Sequence, residues 1–337
     1  MTSIGPAAPD YADIEAAAAR LAGHAAMTPL LSSAALDART GGRMLIKAET
    51  LQRTGSFKFR GAYNKLRRLV DEGMRPDAVV AYSSGNHAQG VAAAAALLGI
   101  KAAIVMPSDA PAIKIANTRG YGAEIITYDR YRESREELAA RIADERRAVI
   151  VPPYDDPDII AGQGTAGREI VAQARALGTE PDALITPCGG GGLMAGLSIA
   201  VSHDCPDCTI HAAEPAAFDD TGRSLLAGER LANANDARSI CDALLAPTPG
   251  ELTFSINRKL VTSGVSVSDD EVRAAMAFAF DTLKLVVEPG GAVALSAILN
   301  GRIPTRGRTV AIVLSGGNVD PASFSEAIAS KSPTGQK

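Results

Sequence analysis

Short apolar, β-branched runs alternate with stretches of helical period along most of the chain. Residues 78–84 (AVVAYSS) precede 87–99 (HAQGVAAAAALLG), 102–107 (AAIVMP) precede 110–120 (APAIKIANTRG), and 123–128 (AEIITY) precede 132–147 (RESREELAARIADERR). After 148–153 (AVIVPP), a second series holds 183–188 (ALITPC) with 192–202 (GLMAGLSIAVS), then 209–215 (TIHAAEP) and 309–318 (TVAIVLSGGN). Strands that are apolar throughout are covered on both faces, and the helices between them serve as crossovers. The pattern predicts a doubly wound α/β protein with two parallel-rich sheets. Breaks near residues 70 and 156 predict a large domain of 1–70 and 157–325 interrupted by a small inserted domain of 71–156, with 326–337 as a flexible tail. Ligands of such folds sit beyond the carboxyl ends of the strands.

Composition narrows the partners. The chain of 337 residues is 46% apolar and 21% charged, has no Trp, and carries a formal net charge of -4, which provides no basic field for a nucleic-acid backbone. The first 31 residues lack a basic segment followed by an apolar one, and no run approaches the roughly 20 apolar residues of a membrane helix. The expectation is a cytoplasmic protein that handles a small molecule, without nucleic-acid or membrane partners. Cys188, Cys205, Cys208 and Cys241 are too few for a disulfide framework in a chain this long and fit a reducing compartment. The C-x-x-C spacing of Cys205 and Cys208, with His203 and His211 beside it, is read as a turn shaped by Asp204, Pro206 and Asp207 rather than as a metal site.

Three strand-to-helix junctions carry candidate chemistry. The four glycines Gly189–Gly192 follow a strand and open a helix; without side chains their N–H groups can converge on an anion, and the helix dipole adds to the attraction. Neither the Gly-Lys-Ser/Thr of a P-loop nor a clear dinucleotide fingerprint is present. In YSSGNHAQG, Ser83, Ser84, Gly85, Asn86 and His87 either hold a substrate carboxylate or ring oxygen, or simply cap the next helix. In VLSGGNVD, Ser315 ends a strand with a hydroxyl that can bond a ring nitrogen, or starts a plain turn. A fourth segment, TGSFKFRGAYNKL, places Lys58 between Phe57 and Phe59 at a helix start, where a cation is disfavoured by the macrodipole. An imine to an aldehyde cofactor whose phosphate rests on the glycines would remove that free charge.

Together these segments resemble the fold type II pyridoxal-phosphate enzymes (tryptophan synthase β-like), and within them the threonine/serine dehydratase and serine racemase family. The resemblance runs from TPLLSS (28–33) to SGGNVD (315–320) and includes IAGQGTAGREI (160–170) and VVEPGGAVAL (286–295). It implies that Lys58 is the Schiff-base lysine, that Phe57 lies against the cofactor ring, and that Asn86 bonds its 3' oxygen. It further implies that Gly189, Gly190, Gly191, Gly192 and Leu193 take the phosphate and that Ser315 faces the pyridine nitrogen. The large domain then binds cofactor and the small one substrate, whose carboxylate would meet Ser83, Ser84, Asn86 and His87. The implied activity is β-elimination on threonine or serine, giving a 2-oxo acid and ammonia in a homodimer or homotetramer. Racemisation, with Ser84 delivering a proton to the opposite face, and dehydration of 3-hydroxyaspartate are the alternatives. Ala243 stands where the family commonly has Gly, and Ala246 near where the racemase branch has a serine for a second substrate carboxylate, although Arg135 can still supply a cation. AAEPAAFDD resembles the racemase branch's divalent-cation site, which would give Mg or Ca the ligands Glu214, Asp220 and the Phe218 carbonyl; alternatively it is a polar loop.

Overall fold

A computed structural model describes residues 7–83, 85–110, 112–129 and 132–329, leaving aside the side chains of 112 and 113. Ten strands fall into two sheets: β1 (Leu30–Ser32), β2 (Arg43–Ala48), β7 (Ala183–Pro187), β8 (Thr209–Pro215), β9 (Ser263–Val267) and β10 (Thr309–Leu314) in one, and β3 (Ala78–Tyr82), β4 (Lys101–Pro107), β5 (Glu124–Tyr128) and β6 (Val149–Ile150) in the other. Their orders are β1-β2-β10-β7-β8-β9 and β5-β4-β3-β6. Every pairing is parallel except β1 with β2. The central strands β3, β4, β7 and β10 are buried almost end to end, as runs apolar on both faces require.

The sequence pattern did not pick out β2. Its run MLIKA is broken by Lys47, yet that side chain is fully buried, with Nζ donating to Glu169 Oε2 (2.6 Å), the Thr28 carbonyl (2.7 Å) and Gln173 Oε1 (2.9 Å). A buried ammonium is tolerated only when partnered in this way. The helix Pro321–Ala329 extends past residue 325, so residues 326–329 of the expected tail are helical; 330–337 lie outside the described residues. Among the described residues no helix is long and apolar enough to cross a membrane.

Both sheets send their carboxyl ends toward one cavity. The alanine-rich helix Asn86–Leu97 follows β3 and packs its Gly90 against the helix Lys58–Asp71, where a Cβ would stand 3.1 Å from the Lys58 carbonyl carbon and the Phe59 nitrogen. That close approach holds two loops distant in sequence side by side.

Candidate active site

A cavity of about 200 Å³ is lined by Phe57, Lys58, Ser83, Gly85, Asn86, His87, Arg135, Gly189–Gly192, Leu193 and Ser315, together with residues the sequence reading did not select. All the described residues expected to meet cofactor or α-carboxylate therefore converge on one space. Ser84 lies outside the described residues.

Lys58 is the first residue of its helix, and its Nζ donates to the Pro153 carbonyl at 2.7 Å while standing 5.2 Å from the centre of the Phe57 ring. Burial pushes this ammonium down to about 8, against the opposing pull of the Glu288 carboxylate. A lysine poised near neutrality can act as nucleophile and as base. Its helix is pinned by Arg60, whose guanidinium is buried and forked onto Glu49 (2.8 Å) and Glu169 (2.6 Å). Burial alone would raise the Glu49 carboxyl, but the charge and hydrogen bonds of Arg60, with Lys47 and Thr28, together lower it. The loop before Lys58 is stitched to the end of β10: Ser56 bridges Gly316, Phe57 N donates to the Ser315 carbonyl (3.1 Å), and Gly317 N to the Gly55 carbonyl (2.9 Å). This is how residues 58 and 315 come to share a wall.

The N–H groups from Gly189 to Leu193 have no protein acceptor among the described residues, and they sit at the start of the helix Gly192–Asp204. Orphan donors at a helix N-terminus fit a phosphate. A Cβ on Gly190 would collide with the Tyr154 ring, so packing alone already demands a glycine there. The Ser315 hydroxyl lines the same cavity without a protein partner among the described residues.

Asn86 Nδ2 donates to Glu288 Oε1 (2.5 Å), and its Oδ1 accepts from Asn318 Nδ2 (2.7 Å), leaving one Nδ2 hydrogen for the cavity. His87 Nε2 lies 2.8 Å from the Val151 carbonyl, which can only accept, so Nε2 carries the hydrogen. Burial, reinforced by the Lys58 charge, pushes His87 down to about 3. It is a neutral ring, not a cationic grip for a carboxylate. Ser83 Oγ accepts from Gly85 N at 3.2 Å. The Arg135 guanidinium stacks over Tyr82, 5.5 Å from the ring centre, and pairs with Glu136 at 2.7 Å.

Four lining residues were given no site role from the sequence: Glu288, Tyr154, and the ion pair Lys114–Asp242, which joins the helix Ala112–Gly120 to the short turn Asp242–Leu244. Glu288 is buried, and that burial, with Asp242 nearby, pushes its carboxyl up to about 8. Ala243 and Ala246 line the cavity too.

Behind the glycine run, the buried Glu214 carboxylate accepts from the backbone N–H groups of Thr221 (2.9 Å) and Gly222 (2.7 Å). Burial, then Asp220, pushes Glu214 up to about 8, and burial pushes Asp220 up to about 6. Asp220 Oδ1 accepts from Asn233 (2.6 Å), whereas its buried Oδ2 has no partner. Phe218 is buried close by in sequence, its N–H bonded to the Pro215 carbonyl (2.8 Å). Among the described residues no cluster of three or more His, Cys, Asp or Glu side chains converges as a metal site. Around the C-x-x-C turn, His203 stacks on Tyr11 (3.7 Å), His211 bonds Ser263 and Thr209 (2.9 and 3.1 Å), and burial pushes the Cys208 thiol up to about 12.

The family model for pyridoxal-phosphate-dependent enzymes matches residues 21–316. An L-threo-3-hydroxyaspartate ammonia-lyase of Pseudomonas sp is 45% identical over 310 residues, covering 92% of this chain and 95% of the relative. The crystal structure of the T.th. threonine deaminase superposes with a TM-score of 0.87 at 45% identity, covering 93% of this chain and 99% of that one. Maize serine racemase gives a TM-score of 0.89 at 38% identity, covering 96% and 98%. The chain therefore belongs to the pyridoxal-phosphate-dependent enzymes, in the fold type II architecture that threonine deaminase and serine racemase share.

Proposed function

We propose that the protein is an ammonia-lyase that converts a 3-hydroxy amino acid to a 2-oxo acid and ammonia by β-elimination. The observation that carries this reading is Lys58, held near neutrality between the unpartnered glycine N–H groups and the amide of Asn86. Pyridoxal phosphate, when bound, supplies a conjugated ring that takes up the electron pair released at Cα. The glycine run with Leu193 would hold its phosphate, the Ser315 hydroxyl its ring nitrogen, and the free Asn86 hydrogen its 3' oxygen, with Phe57 beside the ring. Lys58 removes the Cα proton as general base. A hydroxyl at Ser315, unlike a carboxylate, would put no negative charge against the ring nitrogen, which suits elimination of the β-hydroxyl. The N-terminus of the helix Asn86–Leu97, with Ser83 and Gly85, orients the substrate's α-carboxylate.

Threonine or serine needs only that one anion site. Two further cations, Lys114 and Arg135, face the cavity; Lys114 is paired with Asp242, which lines it too, whereas the Glu136 partner of Arg135 is not among the lining residues, so the unmatched charge is that of Arg135. This favours a second carboxylate, as in 3-hydroxyaspartate, over a methyl group. Racemisation would need a proton donor on the opposite face, the role the resemblance gives to Ser84. A divalent cation, Mg or Ca, between Glu214, Asp220 and the Phe218 carbonyl is supported by the unpartnered Asp220 Oδ2 and the raised acid pair.

The deciding experiment measures 2-oxo acid, ammonia and product chirality with L-threonine, L-serine and both 3-hydroxyaspartate diastereomers. The expected result is stoichiometric 2-oxo acid and ammonia, with kcat/KM greatest for a hydroxyaspartate. D-amino acid without ammonia would make the protein a racemase, and preference for threonine would remove the second-carboxylate reading.

A further inference from the structure

A run of glycines has little conformational preference of its own, so whatever aims its N–H groups at the cavity must act from outside. The helix Glu251–Leu260 approaches the run from the side that does not line the cavity. Thr253, fully buried, donates its hydroxyl to the Gly190 carbonyl at 2.7 Å, and Gly250 N reaches the same oxygen at 3.3 Å. Asn257, 1% exposed, donates Nδ2 to the Gly191 carbonyl at 3.4 Å. A peptide unit is planar and trans, so its N–H points opposite to its C=O. Drawing the Gly190 and Gly191 carbonyls toward this helix therefore turns the N–H groups of Gly191 and Gly192 away from it.

The contact is close enough to demand glycine. Gly191 has φ +92°, and a Cβ there would lie 2.9 Å from both Thr253 Oγ1 and Asn257 Nδ2. The helix start is itself fixed by Asp155, whose carboxylate accepts from Glu251 N and Thr253 N, each at 3.0 Å.

We propose that Thr253 and Asn257 are positioning residues for the cofactor's phosphate, acting through the carbonyls of Gly190 and Gly191. This rests on the glycine run being the phosphate cradle. The test is the affinity of the cofactor-free protein for pyridoxal 5'-phosphate and for pyridoxal, which lacks the phosphate, measured by equilibrium titration of their absorbance. Thr253→Val should weaken pyridoxal phosphate by roughly three- to tenfold, the size of one net hydrogen bond, and leave pyridoxal unchanged. Thr253→Ser, which keeps the hydroxyl, should restore the difference. Asn257→Leu is the second variant should the valine protein not fold: Asn257 Oδ1 is buried without a partner, so the change also removes an orphaned acceptor. It should cost phosphate selectivity by a smaller factor, since its bond is longer. Equal weakening toward both ligands, or none, overturns the inference. A wild-type protein that fails to prefer the phosphorylated ligand overturns the cradle reading instead.

Discussion

Around the cavity, the part of the chain built on the six-stranded sheet offers the glycine N–H groups, the Ser315 hydroxyl and the acids Asp242 and Glu288, whereas the part built on the four-stranded sheet offers Asn86, His87, Lys114 and Arg135. On the first wall the Ser315 hydroxyl is a separable side chain, but the glycine N–H groups belong to the main chain and cannot be mutated away. They can only be turned, through supports such as Thr253 and Asn257. On the second wall each contact is a separable side chain: Asn86, Lys114 and Arg135 can be exchanged one at a time. Under the proposed reading Asn86 belongs with the cofactor, and the division would let the backbone grip on a phosphate stay fixed while Lys114 and Arg135 change. It accords with relatives of one fold bearing three different names: hydroxyaspartate ammonia-lyase, threonine deaminase and serine racemase.

The largest effect should come from the one side chain that serves both walls. Lys58→Ala is expected to reduce 2-oxo acid formation by about a thousandfold or more and to abolish the visible absorbance of the bound cofactor; undiminished turnover would end the proposed reading. Next, Arg135→Gln should raise KM for hydroxyaspartate by roughly ten- to a hundredfold, the scale of a lost charged hydrogen bond, with little change for serine. Equal losses on both substrates would show that this wall does not read the substrate's side chain.

Capture of pyridoxal phosphate by the cofactor-free protein should depend on pH, because only the neutral Lys58 amine attacks an aldehyde. With the ammonium at about 8, the rate should rise roughly tenfold between pH 7 and pH 9, as stopped-flow absorbance would record; a flat profile would mean that the amine is already neutral at pH 7. The smallest effect concerns Glu214. Its folded-state carboxyl, pushed from 4.5 to about 8, binds a proton more tightly than the unfolded chain does, so its stabilising contribution falls as pH rises across that window. Mg or Ca at pH 8 should then raise Tm by a few degrees in the wild type and not in Glu214→Gln. No difference between the two would remove the cation reading.

Much of the backbone wall could be read from sequence, because glycines in a row and a lysine at a helix start are costly choices with few explanations. Its supports could not. Thr253 and Asn257 look like ordinary helix residues, and only their contacts with Gly190 and Gly191 give them meaning. Glu288 was not singled out for a related reason: an acid before a proline reads as a helix start, which it is, while its carboxylate bonds Asn86, 202 residues away in sequence. Lys114 and Asp242 are charged residues of the kind that normally face solvent, and nothing local announces that they meet. His87 lines the cavity, but the carbonyl that fixes it as a neutral ring comes from Val151, a strand away. Contacts across long sequence separations were the missing information in each case.

The connection between the sheets, from β6 to the helix that begins at Pro157, is short and engaged at successive residues. Pro153 receives the Lys58 amine, Tyr154 covers the glycines, Asp155 caps the helix Glu251–Leu260, and Asp156 accepts from Lys65 at 2.6 Å. The joint has no slack. A linker inserted there, or new termini opened there by circular permutation, would disconnect the Lys58 amine from the glycine run. The exposed turn around Gly73 and Met74 touches none of these groups and is where such cutting and rejoining should be attempted.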